Sequence, residues 1–263
     1  MQVTTSDRTQ LARLGFVVRR GVFDPAPLAA EVTRALREGT SPLPEAGEPP
    51  RFRYVPMMCE LTPVSLRLLD QLAVLAGDLL GDEVLPTRAK GVEYRAPTGW
   101  HADTNLNVHS IGMLAYLDPM EAGQGALEVV PGSHEELSAH ALAPTGNVFG
   151  AHRSLELATD PGDLIIMDER LLHRSTSADR RRQWRVDYLP VPRTPTQRAV
   201  VRGYFKELLA GDDGYDRDRY PSHGAHWRTS SRPSNAVLGA LGAYDAWPGN
   251  KECRPPGEPT FRR

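Results

Sequence analysis

Residues 161–175 read PGDLIIMDERLLHRS, and this stretch decides the fold. Pro161 and Gly162 predict a turn, and the apolar run 163–168 that follows predicts a buried strand leading to His173. Similar short β-type segments, separated by Gly, Pro, Asn or Asp, are Thr87–Tyr94, Val108–Leu117, Ala126–Val130 and Gln183–Leu189. Many short strands of this kind predict a sandwich or barrel.

The chain before residue 84 has the pattern of helices instead. Three are expected, over residues 5–14, 24–37 and 63–80, and Ser6 is the expected N-cap of the first. Residues 39–56 are rich in Pro, Gly and Glu and predict a surface loop. Helices first and strands afterwards predict an α+β fold, in which N-terminal helices buttress one face of a β-barrel.

We predict a single domain over residues 1–263. Its parts are a mainly helical support (1–83), a β-barrel core (84–191) and a C-terminal extension (192–263). The extension contains a helical piece near 196–209 and then a polar stretch with interleaved aromatic residues. Two interpretations of that stretch stay open, a loosely ordered tail or a lid that closes on a ligand.

Composition and charge exclude several classes of protein. The 263 residues carry a formal net charge of −2, so non-specific binding to nucleic acid or to an anionic membrane is not expected. Cys59 and Cys253 lie far apart without a CxxC partner, which disfavours a disulfide framework and favours a reducing compartment. There is no signal-peptide pattern at the start and no apolar run of membrane-spanning length. We therefore expect a cytoplasmic protein.

The segment Trp100-His101-Ala102-Asp103 predicts a metal site. Side chains at i and i+2 of an extended segment point to the same side, so His101 and Asp103 can approach one ion together. His173, after its apolar strand, can supply a third ligand. Two imidazoles and one carboxylate leave the opposite face of the ion open, which suits Fe(II) in oxygen chemistry. Zinc hydrolases use the same ligand types, so these residues alone leave the metal undecided.

Four phrases in this order carry a resemblance to a known family: WHAD (100–103), GALEVVPGSH (125–134), PGDLIIMDERLLHRS (161–175) and WRVDY (184–188). Together with LGFVVRRGVFDP (14–25), they resemble the phytanoyl-CoA dioxygenase-like family of 2-oxoglutarate-dependent oxygenases, over roughly residues 11–190. The resemblance implies a double-stranded β-helix (jelly-roll) core, with Fe(II), 2-oxoglutarate as cosubstrate, and dioxygen.

The family's metal ligands, which are also its catalytic residues, fall on His101, Asp103 and His173. His134 belongs to the PGSH turn and is not a ligand in this interpretation. Because position 103 is Asp rather than Gly or Ala, the chain does not resemble the halogenating members, in which a halide needs that coordination site vacant.

The resemblance also implies an arginine that binds the distal carboxylate of 2-oxoglutarate, a task for which a bidentate guanidinium is well suited. Aligning the WRVDY phrase puts Gln183 where that arginine is expected. Strand alternation places Gln183, Arg185 and Asp187 on one face and an apolar set on the other, which favours Arg185. Arg182 is the second choice.

Three further residues are candidate cosubstrate contacts. Ser175, two residues beyond His173, offers a hydroxyl to the same carboxylate, and a turn-stabilising role is the alternative. Lys90 and Tyr94 lie on a strand that enters the site. Thr104 and Asn107, just after the metal motif, either line the pocket or are ordinary turn residues.

The implied activity is that of an Fe(II)/2-oxoglutarate-dependent dioxygenase, which hydroxylates, desaturates or cyclises a small molecule. A zinc- or manganese-dependent jelly-roll hydrolase or isomerase is the alternative, and a catalytically silent binding protein is the third. High Ala, Arg and Pro usage is typical of a high-GC bacterium, and hence of secondary metabolism such as antibiotic biosynthesis. If they line the mouth of the site, seven acidic residues would favour a cationic or polyhydroxylated substrate: Glu45, Glu48, Glu60, Asp212, Asp213, Asp216 and Asp218.

Overall fold

The computed structural model describes residues 2–41, 52–104, 106, 108–137, 154–177, 179–209 and 214–246. The elements before the core are α1 (Thr5–Leu14), β1 (Phe16–Arg19), α2 (Pro25–Gly39), β2 (Phe52–Pro56) and α3 (Pro63–Leu80). The core consists of β3 (Val84–Tyr94), β4 (Thr98–His101), β5 (Ile111–Tyr116), β6 (Leu127–Val129), α4 (Ser133–Leu137), β7 (Leu155–Leu157), β8 (Leu164–Asp168), β9 (His173–Ser175) and β10 (Arg181–Pro190). The elements after it are α5 (Pro195–Leu209), α6 (Ala225–Thr229), α7 (Pro233–Ala240) and α8 (Ala243–Ala246).

The three predicted N-terminal helices form, with corrections at their ends. The N-cap of α1 is Thr4, not the predicted Ser6, because Thr4 and Asp7 make a reciprocal capping box. α2 continues two residues beyond the predicted end, and α3 has its predicted bounds, ending at Gly81 with a left-handed φ of 69°. The prediction of a loop over residues 39–56 is wrong for Phe52–Pro56, which form β2 and pair with β3.

Two antiparallel sheets form the core. The larger has the strand order β1-β8-β5-β10-β3-β2, and the smaller has the order β4-β9-β6-β7. The chain passes between these sheets as it runs from β3 to β10, which is the double-stranded β-helix predicted from the sequence. The sheets face each other without closing, so the expected barrel is an open jelly roll.

β10 separates the helical core from the interior between the sheets. Its side chains at 184, 186 and 188 pack against the helices, where Trp184 Nε1 donates to Ser65 Oγ at 2.8 Å and Tyr188 donates to the Leu69 carbonyl at 2.5 Å. Its alternate residues Gln183, Arg185 and Asp187 point between the sheets. β10 therefore has an apolar face and a polar face, as strand alternation predicted.

The described part of the C-terminal extension is packed against the rest of the domain. Six large side chains from it are buried in the helical core: Tyr204, Phe205, Tyr220, Trp227, Leu238 and Leu241. Arg232, just before α7, pairs with Asp70 of α3 at 2.7 Å. Residues 214–246 are therefore not a loosely ordered tail, and a lid function stays a prediction. Among the described helices, none has the length and apolar character required to cross a membrane.

Candidate metal centre and active site

The three predicted metal ligands converge at one end of the smaller sheet. β4 pairs antiparallel with β9 in a register that places His101 opposite His173, and their ring centroids are 4.2 Å apart. Asp103 lies just beyond β4, with Oδ2 3.6 Å from His173 Nε2. One ligand atom from each of the three residues lies within 4.8 Å of the others.

Hydrogen bonds to backbone carbonyls orient both imidazoles. His101 Nδ1 lies 2.8 Å from the Gly99 oxygen, and His173 Nδ1 lies 2.8 Å from the Leu171 oxygen. A carbonyl oxygen only accepts, so Nδ1 carries the proton in each ring and Nε2 keeps its lone pair for a metal ion. Burial lowers the pKa of His173 to about 4, which keeps this imidazole in the neutral, metal-binding form.

Asp103 is held by main-chain contacts and stays ionised. Its backbone N–H donates to the Glu169 carbonyl at 2.8 Å, which fixes the turn after β4. Burial alone would raise the pKa of Asp103, but the Arg185 guanidinium and the two imidazoles hold it well below its usual range. Two imidazole nitrogens and one carboxylate oxygen on one side of a common point form a donor set that fits Fe(II).

Arg185 lies beside this triad in the interior between the sheets, where the sequence predicted it. Its Nη1 donates to Asp103 Oδ2 at 2.6 Å, its Nη2 donates to Glu169 Oε1 at 2.7 Å, and its Nε donates to Asp187. One buried guanidinium therefore forms ion pairs with three carboxylates. If Asp103 turns to a metal ion, Nη1 is the donor that becomes available to an anion.

Two of the carboxylates around Arg185 accept further hydrogen bonds, from residues that were not predicted to belong to the site. Glu169 Oε2 accepts from the Tyr204 hydroxyl at 2.7 Å, and Asp187 Oδ2 accepts from Arg88 Nε at 2.7 Å. Burial and the neighbouring Asp187 raise the pKa of Glu169 to about 7. A signal for part of this network was present, because Arg88 lies two residues before Lys90 and both therefore share one face of a strand.

Arg182 and Ser175 are placed differently from Arg185. Arg182 lies on the helix-facing side of β10, where it pairs with Asp118 at 2.5 Å and donates to Thr33 Oγ1 at 2.7 Å. The prediction that it contacts the cosubstrate is corrected accordingly, since strand alternation directs it away from the triad. Ser175 shares the face of His173, but its hydroxyl donates to the Gly125 carbonyl at 3.0 Å, the turn-stabilising alternative. Its contact with the cosubstrate stays a prediction.

Of the two residues after the metal motif, Thr104 has a turn role. Its Oγ1 accepts from the Leu106 N–H at 3.1 Å. Asn107 lies outside the described residues.

A cavity of about 560 Å³ opens beside His101. Four of its lining residues are aromatic: Phe52, Tyr54, Tyr94 and Trp100. Trp100, with the Arg174 guanidinium 4.5 Å from its ring, is both a packing residue and part of the wall. Lys90 and Arg88 supply positive charge, and no acidic side chain occurs among the described residues that line the cavity. The volume and the aromatic walls are those of a small-molecule site.

The acidic residues expected at the rim do not line this cavity where they are described. Glu60 accepts from the His226 N–H, and Asp216 accepts from the N–H groups of Asp218 and Arg219. Both carboxylates therefore fix the backbone of the C-terminal extension. Four of the predicted acids lie outside the described residues: Glu45, Glu48, Asp212 and Asp213.

Comparison with protein families identifies the core. Residues 82–183 match the family model described as phytanoyl-CoA dioxygenase (PhyH). The match contains all three predicted metal ligands and ends two residues before Arg185. It therefore does not test whether Arg185 binds the distal carboxylate of 2-oxoglutarate. No curated protein matches the chain.

Solved structures share the fold at low sequence identity. The non-heme alpha ketoglutarate dependent epimerase SnoN from nogalamycin biosynthesis is 20% identical, with a TM-score of 0.57 over 71% of this chain and 82% of that one. EctD from S. alaskensis with bound Fe is 22% identical, with a TM-score of 0.56 over 72% and 77% of the two chains. The carbocyclase SnoK, also from nogalamycin biosynthesis, is 17% identical, with a TM-score of 0.60 over 72% and 85%.

Proposed function

We propose that this chain, of which residues 82–183 match the phytanoyl-CoA dioxygenase family model, is a non-heme Fe(II)/2-oxoglutarate-dependent dioxygenase. The reaction is oxidation of an unactivated or weakly activated C–H bond in a small molecule, with hydroxylation as the main outcome. Desaturation and ring closure use the same kind of site. Nogalamycin biosynthesis, named for two proteins of similar structure, supports a role in bacterial secondary metabolism.

The observation that carries the proposal is the convergence of His101, Asp103 and His173 with both Nε2 atoms free to coordinate. These residues would hold Fe(II). With Fe(II) held there, dioxygen would be the oxidant: one of its oxygen atoms would enter succinate as 2-oxoglutarate loses carbon dioxide, and the other would oxidise the substrate C–H bond. Arg185 would bind the distal carboxylate of the cosubstrate through Nη1, while Glu169 and Asp187 keep the guanidinium in position.

The aromatic cavity would orient the substrate and exclude water. The proposed class of substrate rests on Lys90, which lines this cavity. No described hydrogen bond or ion pair engages its ammonium group, which lies 5.7 Å from the Tyr54 ring centroid. Burial, with Arg88 and Arg185 nearby, lowers its pKa to about 7, while Asp187 and Asp103 act in the opposite direction. No carboxylate is among the described residues that line the cavity, so the cavity itself offers no counter-charge. An anionic substrate with an aromatic or apolar body supplies one. The lining therefore favours an anion over the cationic substrate expected from the acidic residues.

The metal assignment is tested by adding Fe(II) and 2-oxoglutarate to the protein under anaerobic conditions. We expect a weak visible charge-transfer absorption, which is lost in His101→Ala and His173→Ala and retained in Arg182→Gln. Succinate formation in air should follow the same pattern. Tight zinc binding without the absorption would instead support the hydrolase alternative.

A further inference from the structure

A second cavity, of about 350 Å³, lies on the opposite face of the strands that border the active-site cavity. Tyr54 of β2 lines the active-site cavity, while its neighbour Arg53 lines the second one, and Val92 and Glu93 of β3 divide in the same way. We call this second cavity the arginine groove. Its lining residues are Thr33, Leu36, Arg37, Arg53, Glu93, Arg180 and Arg182.

Among the described residues, the arginine groove has fewer carboxylates than guanidinium groups. Glu93 is shared by Arg53 at 3.0 Å, Arg95 at 2.8 Å and Arg180 at 3.7 Å. Glu38, beside Arg37, is likewise shared by three guanidiniums, and Asp118 pairs with one: the seven are Arg34, Arg37, Arg53, Arg95, Arg180, Arg182 and Arg219. In and around the groove, the described residues therefore include seven cations and three anions, an excess of four positive charges, in a chain whose formal net charge is −2.

Several of these guanidiniums are not fully used. Arg53 Nε is buried and has no hydrogen-bond acceptor among the described residues. Arg180 approaches Glu93 only at 3.7 Å, and Arg37 approaches Glu38 at 3.4 Å. Crowded cations repel one another, and an unused buried donor costs free energy, so an incoming anion would relieve both.

We propose that the arginine groove binds a phosphorylated small molecule, with the phosphoryl oxygens accepting from Arg53, Arg180 and Arg182. Guanidinium groups bind phosphate in a bidentate manner, and an excess of four charges matches a multiply charged anion better than a single carboxylate. The cavity is concave and of the size of small-ligand sites, so it suits a compact phosphate or diphosphate compound. The site is separate from the iron centre and does not depend on the proposed reaction.

The test is calorimetric titration of the full-length protein with inorganic pyrophosphate at constant ionic strength. The informative variant is Arg37→Gln with Arg180→Gln, because both side chains are exposed and make only long contacts, so the fold is retained. Its matched control is Arg13→Gln with Arg198→Gln, which removes the same charge from exposed sites on α1 and α5. We expect the affinity to fall about tenfold or more in the first double variant and to stay unchanged in the control.

Three outcomes would overturn the proposal. One is no pyrophosphate binding by the unchanged protein, and another is equal weakening in both double variants, which would indicate only diffuse charge attraction. The third is loss of binding in His173→Ala, which would place the anion at the iron centre. Retention of pyrophosphate binding in His173→Ala supports the groove even if the proposed oxidation fails its own test.

Discussion

Arg185 forms ion pairs both with Asp103, a proposed metal ligand, and with two buried carboxylates between the sheets. It contacts Asp103 on one side, and Glu169 and Asp187 on the others, from a fully buried position on β10. Such a guanidinium cannot be removed without leaving buried carboxylates unpaired, so its substitution affects both stability and ligand binding.

We expect Arg185→Gln to raise the KM for 2-oxoglutarate by about tenfold or more, because truncating one partner of a buried ion pair costs roughly 2–5 kcal/mol. Arg182→Gln, on the opposite face of the same strand, should leave this KM unchanged. Steady-state kinetics with varied 2-oxoglutarate measure both, and urea unfolding separates a loss of fold from a loss of binding. If the KM for 2-oxoglutarate rose in Arg182→Gln and not in Arg185→Gln, Arg185 would not be the residue that binds the cosubstrate carboxylate.

Lys90 predicts a pH dependence of substrate binding. Its pKa is lowered to about 7, so the ammonium is charged below that pH and loses its charge as the pH rises through it. The KM for an anionic substrate should therefore rise above about pH 7. Lys90→Arg, which stays charged, should flatten this profile, and Lys90→Met should raise the KM below about pH 7 and change it little at higher pH. If the KM for 2-oxoglutarate follows the Lys90 variants instead, Lys90 binds the cosubstrate.

At the scale of elements, a glycine of β5 leaves room for Arg185 of β10. Gly112 of β5 lies opposite Asp187, and a Cβ built on it would approach Arg185 Nη2 to 2.7 Å and Cζ to 3.0 Å. Because the guanidinium is fixed by three carboxylates, it cannot move aside freely. The absence of a side chain at residue 112 is therefore part of the site.

Gly112→Ala should displace Arg185 and raise the KM for 2-oxoglutarate several-fold, with a smaller effect on Fe(II) affinity. Gly203→Ala in α5 is the matched control, since its new methyl group lies 3.8 Å from Leu106 and meets no charged group. Kinetics and iron titration of the two variants check this. An unchanged KM in Gly112→Ala would mean that Arg185 is less constrained than its contacts indicate.

The strands that could be predicted from the sequence are those with a clear apolar pattern. The strands β3, β5, β8 and β10 were found because each contains a run of apolar or alternating residues. β4 and β9, whose sequences are TGWH and HRS, were not predicted as strands, although they carry the two histidines proposed as metal ligands. Such short polar strands are stabilised by their partners across the sheet, which a local pattern does not contain. The proposed ligands were instead predicted from their residue types and from the family motifs.

At the scale of the whole molecule, the C-terminal extension contributes to the common core. Its position could not be predicted, because its sequence is polar and its few buried aromatic residues are widely spaced. Trp227 is 0% exposed in a cluster that also contains residues of α2 and α3. The buried interior charges were hidden for a related reason, since Glu169 and Arg88 meet Arg185 and Asp187 only after distant segments have paired.

Trp227→Ala should lower the free energy of unfolding by about 3–5 kcal/mol, the usual cost of truncating a buried aromatic side chain. Val74→Ala, at a side chain that is 65% exposed, should change it by less than about 0.5 kcal/mol. Urea unfolding followed by circular dichroism measures both. Loss of turnover in Trp227→Ala without loss of stability would indicate that the extension acts as a lid and not as core.

The pairing of β4 with β9 has a consequence for the lifetime of the protein. His101 and His173 are brought together only by this long-range pairing, so the unfolded chain offers no comparable site. An ion that binds only the folded state stabilises it by mass action, by about 2.7 kcal/mol at roughly one hundred times its dissociation constant. The iron supply of the cell would then govern how long each molecule survives proteolysis, as well as how fast it turns over.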